Sequence, residues 1–226
     1  EYDEIGRRLK QLLAENPSWP ASLPLRRCLA NSCDVTERWK EGFSYVPKTL
    51  DEVKVQEENL RKHADAPFLM RNLVRLYDVT GKLYYRVGRY GVAKLFFENA
   101  IQTAEDVGYR SALLDLQSNW IRTRYNEWKL AKEYEPEERR HEFLNEFDRQ
   151  YQKQIDYFHQ HQGEFKGFEL KEFKRGLSTI YHNYGILLWT ERSQFNEGFE
   201  KHSVAELLSR ELRDNYRLNQ TLMNKG

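Results

Sequence analysis

The side chains best suited to acid–base or metal chemistry are few, and their spacing decides what they can do. His141 and Glu142 begin like the H-E-x-x-H helix of a metalloprotease, whose two histidines at i and i+4 hold one zinc ion. The residue four beyond His141 is Asn145, so the second ligand is missing. His159 and His161 are two positions apart, and on a helix their side chains diverge by about 200°. Cys28 and Cys33 stand in a C-x4-C spacing with no second pair, which makes neither a zinc site nor a disulfide framework. No Gly-rich phosphate loop, G-x-S-x-G elbow or deaminase signature occurs. The expectation is no metal, no cofactor and no catalytic residue.

Arg175 and His182 are seven apart and share one helical face. Their spacing resembles the Arg-x4-6-His pair of HEPN ribonucleases, in which an arginine and a histidine attack a phosphodiester. Gly176 stands after the arginine, where that family prefers a polar residue. An HEPN-like ribonuclease is thus a third reading of function, behind two that need no catalysis.

The elements that must position any site are helical. Five prolines (Pro17, Pro20, Pro24, Pro47, Pro67) lie in the first 67 residues, and only Pro136 comes after them. Proline ends helices for want of an N–H donor, so short helices are expected over 1–64 and long ones over 65–226. In the first part Ile5, Leu9, Leu12 and Leu13 form a helical stripe that stops at Asn16-Pro17. Ser22 is expected to cap a second short helix, Asp34 with Glu37 to open a third, and Thr49 with Glu52 a fourth that runs to about His63. In the second part Leu69, Leu73, Leu76, Val79 and Leu83 repeat at helical intervals, as do Phe143, Phe147, Tyr151 and Ile155, and then Phe173, Leu177, Ile180, Tyr184 and Leu187. Helices are expected to start near 109, 137 and 168.

Residues 74–107 carry Tyr77, Gly81, Tyr84, Gly88, Tyr90, Ala93, Phe97 and Ala100. Small residues at Gly81 and Ala93 suit a close crossing of two antiparallel helices, with Tyr84 and Phe97 beside it and Gly88 at the turn. At these spacings the segment resembles the tetratricopeptide (TPR) repeat. Leu114, Ser118 and Ile121 can be placed in a second hairpin, and Tyr181, Gly185 and Leu188 in a third. The resemblance implies an all-α fold, a TPR-like solenoid of helical hairpins with an N-terminal bundle of short helices.

In a TPR the inner face of each first helix lines a concave groove. The register of residues 74–107 then gives Arg75, Asp78, Lys82, Tyr85 and Arg86 as groove residues, and the second hairpin gives Asp115, Asn119 and Arg122. Three cations with few carboxylates nearby repel one another until an anion arrives. The expected partner is a protein or peptide, acidic or ending in a C-terminal carboxylate.

Residues 1–64 admit two readings. Short helices, Trp39-Lys40-Glu41-Gly42, Pro47 and a capped fourth helix resemble the Cro/repressor-like (XRE) helix-turn-helix domain. Joined to a TPR array, the segment is similar to peptide-regulated regulators, and it implies DNA contacts from Arg26, Arg27, Arg38 and Lys40. The turn before the third helix lacks the usual glycine, and charges over 1–64 balance at eleven basic and eleven acidic, where phosphate contacts want cations in excess. The other reading is a helical cap over the apolar end of the first repeat.

The chain of 226 residues has 36 basic and 35 acidic side chains, which announces neither a nucleic-acid coat nor an acidic tail. Hydrophobic residues at 39% and aromatic residues at 14% exclude a disordered chain. No apolar run reaches membrane-spanning length, no signal-peptide pattern opens the sequence and the cysteines are unpaired, so the expected setting is cytoplasmic. A protein- or peptide-binding module with a regulatory or scaffold role is the reading these features favour, and a DNA-binding regulator is the alternative.

Overall fold

The computed structural model describes residues 2–16 and 18–223, with the side chains at 2–6, 216, 217 and 220 outside that description. The expected contribution of Ile5 and the helix stop at Pro17 lie outside the described residues. The fold is all-α, with no strand among the described residues. The chain divides into two compact units, Glu1–Tyr109 and Arg110–Gly226. The break falls at Tyr109–Arg110, whereas the proline distribution puts it near residue 65. Prolines shorten helices but do not stop those helices from packing on α5, which with α6 falls in the same unit.

The first unit contains α1 (Tyr2–Glu15), α2 (Trp19–Val35), α3 (Trp39–Gly42), α4 (Leu50–Arg61), α5 (Ala66–Arg86) and α6 (Tyr90–Asp106). Two helix starts differ from expectation. Ser22 does not cap a helix, because α2 already begins at Trp19; the serine is buried in it and its Oγ accepts from Arg26 Nε at 3.1 Å. Pro20 occupies the first turn, where no N–H partner is needed, and Pro24 is carried within the helix. Asp34 and Glu37 do not open a helix either. The apolar face Leu29, Ala30, Cys33 continues α2 to Val35, and Glu37 takes a left-handed φ of 59° that ends the run. The chain then enters α3, which has only four residues.

The fourth helix forms as its capping box requires. Thr49 Oγ1 accepts from the Glu52 N–H at 3.3 Å, while the Glu52 carboxylate reaches back to the Lys48 N–H at 3.0 Å. Tyr77 donates its hydroxyl to Glu57 and Tyr84 donates to the Lys48 carbonyl, so α4 and α5 run antiparallel. Gly88, with φ of +75°, turns the chain from α5 into α6. The α5–α6 crossing is tight at Gly81, where an added Cβ would lie 2.7 Å from the Phe97 ring. Leu69, Leu73, Leu76, Val79 and Leu83 are all buried, as are Ala93, Phe97 and Ala100.

The second unit contains α7 (Leu113–Ala131), α8 (Glu137–His161), α9 (Gly167–Glu191), α10 (Phe195–Leu212) and α11 (Asn215–Met223). Pro136 stands at the N-cap of α8, with Glu137 and Glu138 in the first turn facing the positive end of the dipole. Phe147, Tyr151 and Ile155 from α8, Phe173, Leu177 and Ile180 from α9, and Ile121, Tyr125 and Trp128 from α7 form one core. Helix α9 packs on α7, α8 and α10. Two glycines permit this: Gly176 lies against Leu114 and the Asp115 backbone, and Gly185 against His202 and the Gly198 carbonyl. No helix among the described residues is long and apolar enough to cross a membrane.

Candidate functional site

The residues predicted for the first half of a groove all come from one helix. Helix α5 is long because its first turn tolerates Pro67 and its apolar positions recur without interruption to Leu83. Arg75, Asp78, Lys82, Tyr85 and Arg86 occupy its other side. Asp78 organises the strip: it is only 4% exposed, Lys82 Nζ donates to it at 2.7 Å, and Arg75 Nη1 lies 3.8 Å away. Arg75 Nε also points to the Tyr109 hydroxyl at 3.4 Å, and the guanidinium groups of Arg71 and Arg75 lie 5.0 and 5.4 Å from that ring. Tyr85 packs on Tyr90 with ring centroids 5.4 Å apart.

Arg86 is held from another helix. Its Nε lies 3.2 Å from Asp34 Oδ1, and its guanidinium lies 6.0 Å from the Trp39 ring. Asp34, expected as a cap, is instead a buried counter-ion for the end of α5. The expectation of cations with few carboxylates nearby is corrected by these contacts. Arg75 and Lys82 share Asp78, and Arg86 has Asp34, because partly covered cations fold only with compensating charge. The signal for the Arg86–Asp34 pair was absent from the sequence, since the two residues are 52 positions apart and on different helices.

Asp115, Asn119 and Arg122 belong to α7 in the second unit. Asp115 is buried and accepts from Thr179 Oγ1 at 3.1 Å, and Asn119 is likewise buried, its carbonyl accepting from Thr123 Oγ1 at 2.7 Å. Asp115 and its neighbours serve a polar seam between α7 and α9. Ser111 donates to Glu172 at 2.6 Å, Thr179 to Asp115, and Asn183 Nδ2 to Ser118 Oγ at 3.0 Å. Partner numbers rise together along the seam, so α7 and α9 run parallel. Sequence reasoning missed Glu172, Thr179 and Asn183; polar residues at helical spacing within an apolar stripe were the available signal.

The residues read for nucleic acid are dispersed over two helices and a turn. Arg26 donates to Ser22, Arg27 lies beside Cys28, and Arg38 reaches Thr36 at 3.0 Å and Glu41 at 3.3 Å, while Lys40 is exposed on α3. Glu41 is the busier partner. The Lys10 ammonium at 2.6 Å, with the Tyr45 hydroxyl, holds its carboxyl below the usual carboxylate range. A recognition helix needs several turns to lay side chains along a groove, and α3 has one.

Arg175 and His182 both lie on α9, and each is engaged from the chain beyond that helix: Arg175 with Asp214 at 3.1 Å, His182 with Thr221 at 3.2 Å and with the His202 ring at 5.5 Å. His141 is on the first turns of α8, with Nδ1 2.9 Å from the Glu137 carbonyl. Among the described residues no group of three or more His, Cys, Asp and Glu is arranged to hold a metal ion. Cys28 and Cys33 are both free thiols, and burial pushes the Cys33 thiol up.

No family model matches the chain. No curated protein matches it either. Among solved structures it is similar to the crystal structure of BtubC (BKLC) from P. vanneervenii, with a TM-score of 0.54 and 16% identity, covering 99% of this chain and 78% of that one. At that identity the likeness concerns the fold alone.

Proposed function

We propose that the chain is a protein- or peptide-binding module of TPR-like helical hairpins, with a regulatory or scaffold role, and that the strip along α5 receives an acidic segment of its partner. The observation that carries this reading is the charge ordering along one helix. Arg71, Arg75, Lys82 and Arg86 succeed one another on α5, and two carboxylates that pair with the last three, Asp78 and Asp34, are buried. The two carboxylates lie beneath and the cations are partly open to water, so the strip presents donors that an anion can meet. An extended acidic peptide, or a chain ending in a carboxylate, meets donors already held in place, which lowers the entropy lost on binding. The aromatic pair Tyr85–Tyr90 adds apolar area next to the charges.

Titration calorimetry of the full chain with a hexaglutamate peptide tests this, with hexalysine as the counterpart. Binding of the first, weakened by salt and absent for the second, supports the reading. The variant K82Q/R86Q removes two charges but keeps donors for Asp78 and Asp34. Equal affinity of this variant and the parent chain for hexaglutamate overturns the α5 assignment.

A further inference from the structure

Arg110, in the 3-10 turn Arg110–Ala112, meets a second 3-10 turn, Gln162–Glu164, and the end of α8. Its Nη1 donates to Glu164 Oε2 at 2.6 Å, its Nη2 lies 3.0 Å from His161 Nδ1, and its Nε lies 3.4 Å from the Tyr157 hydroxyl. His161 Nδ1 is also 2.6 Å from Glu164 Oε1. One nitrogen therefore faces a donor that carries positive charge and an acceptor that carries negative charge. It serves only one at a time: without a proton it accepts from the guanidinium, and with a proton it donates to the carboxylate.

We propose that His161 is the proton-sensitive element of a latch that ties the start of α7 to the α8–α9 connection. With the imidazole neutral, Nδ1 accepts from Arg110, which is then held by Tyr157, His161 and Glu164 together. With the imidazolium, Nδ1–H donates to Glu164 and a like charge faces the guanidinium, so Arg110 keeps Glu164 and Tyr157 and loses His161. The charged and titratable groups facing His161 are Arg110 from the turn before α7, Tyr157 one turn back on α8 with its ring 4.4 Å away, and Glu164 from the turn after α8. Helix α9 contributes the apolar Phe173, packed on Tyr157 and on Phe165 beside Glu164. Phe165, next to Glu164, links the latch to the core through Phe173. The hydrogen bond from His161, made with the imidazolium, and then the Arg110 charge, present in both states, hold the Glu164 carboxyl below the usual range.

Nitrogen-15 NMR of the full chain, with the His161 signal assigned through His161→Gln, reads the tautomer directly. The expected result at high pH is an unprotonated Nδ1 and a protonated Nε2. On acidification both nitrogens are protonated, and the backbone amides of Arg110–Ala112 and Gln162–Glu164 shift with the same midpoint. Arg110→Met raises that midpoint and Glu164→Gln lowers it, since one removes a repelling charge and the other an attracting one. A proton on Nδ1 at high pH, amides that stay still through the His161 titration, or an unchanged midpoint in both variants overturns the latch.

Discussion

Ser118 on α7 and Asn183 on α9 are hydrogen-bonded at 3.0 Å, in register with Thr179–Asp115 on the same pair of helices and with the bond from Ser111, in the turn before α7, to Glu172. This parallel arrangement of α7 and α9, with α8 running between them in sequence, is what two successive helical hairpins produce. Apolar faces can slide by a turn at small cost. Buried polar pairs cannot, because each slip leaves a donor or acceptor without its partner.

Ser118→Ala is expected to lower stability by about 1–3 kcal/mol, the cost of leaving the Asn183 amide unsatisfied in a buried site. The double variant S118A/N183L is expected to recover part of that loss, since removing both polar groups is cheaper than removing one. Denaturant midpoints of the parent chain, both single variants and the double variant decide it, and a double variant weaker than the sum of the two single losses rejects the pairing argument.

Glycine-to-alanine changes on α5 and α9 separate close approach from helix propensity. Alanine gains up to about 1 kcal/mol in a helix interior, but forced overpacking costs about 1–3 kcal/mol. At Gly81 the new Cβ meets the Phe97 ring at 2.7 Å, and at Gly176 it meets Leu114 Cβ at 2.7 Å and the Asp115 backbone nitrogen at 2.9 Å. Both variants are expected to melt lower, Gly176→Ala more so, because backbone yields less readily than a ring. Gly163→Ala, with nothing within 4 Å, serves as the control and is expected to melt with the parent chain.

Charge reversal on α5 is expected to cost stability as well as binding. Lys82→Glu sets a carboxylate against buried Asp78, and Arg86→Glu does the same against Asp34. Thermal melts of K82E/R86E should fall well below those of K82Q/R86Q. Equal melts for the two double variants would mean that a carboxylate at 82 or 86 is not held against Asp78 or Asp34.

Acid is expected to loosen the contact of α1 with α3. Glu41 is held below its ordinary pKa of 4.5, chiefly by the hydrogen bond from Lys10. The stability this gives is complete above that ordinary value and is lost as pH falls through the lower, folded-state value. Glu41→Gln should therefore be less stable than the parent chain near neutral pH, and the gap should close in acid. Denaturant midpoints across that range measure it, and a gap independent of pH contradicts the assignment.

Thr49→Ala removes the hydroxyl that accepts from Glu52 and is expected to cost about 1 kcal/mol. Hydrogen exchange should quicken in the first turn of α4 ahead of its later turns. Uniform change along α4, or none, would separate the cap from the stability of that helix.

The sequence by itself determined the all-α class, the helices α4 to α9 with their buried stripes, the Thr49 capping box, the turn at Gly88 and the tight spot at Gly81. Each is local: a period of 3.6, a capping pair three residues apart, or a glycine whose neighbours lie on the next helix. It also placed Arg75, Lys82 and Arg86 on one side of α5 by the same period. What the tertiary structure decided was the fate of Asp34 and Ser22, and the partners of the cations on that strip. Asp34 has the residue type and spacing of a helix cap, but the apolar face of α2 continues past it and Arg86 lies where its carboxylate points. The same holds for Glu172, Thr179 and Asn183, which look like flaws in an apolar stripe until their partners at Ser111, Asp115 and Ser118 are in place. A buried charge or amide is tolerated only with a counter-group at hydrogen-bond distance. That counter-group comes from chain fifty or more residues away, so only the packed molecule can name it.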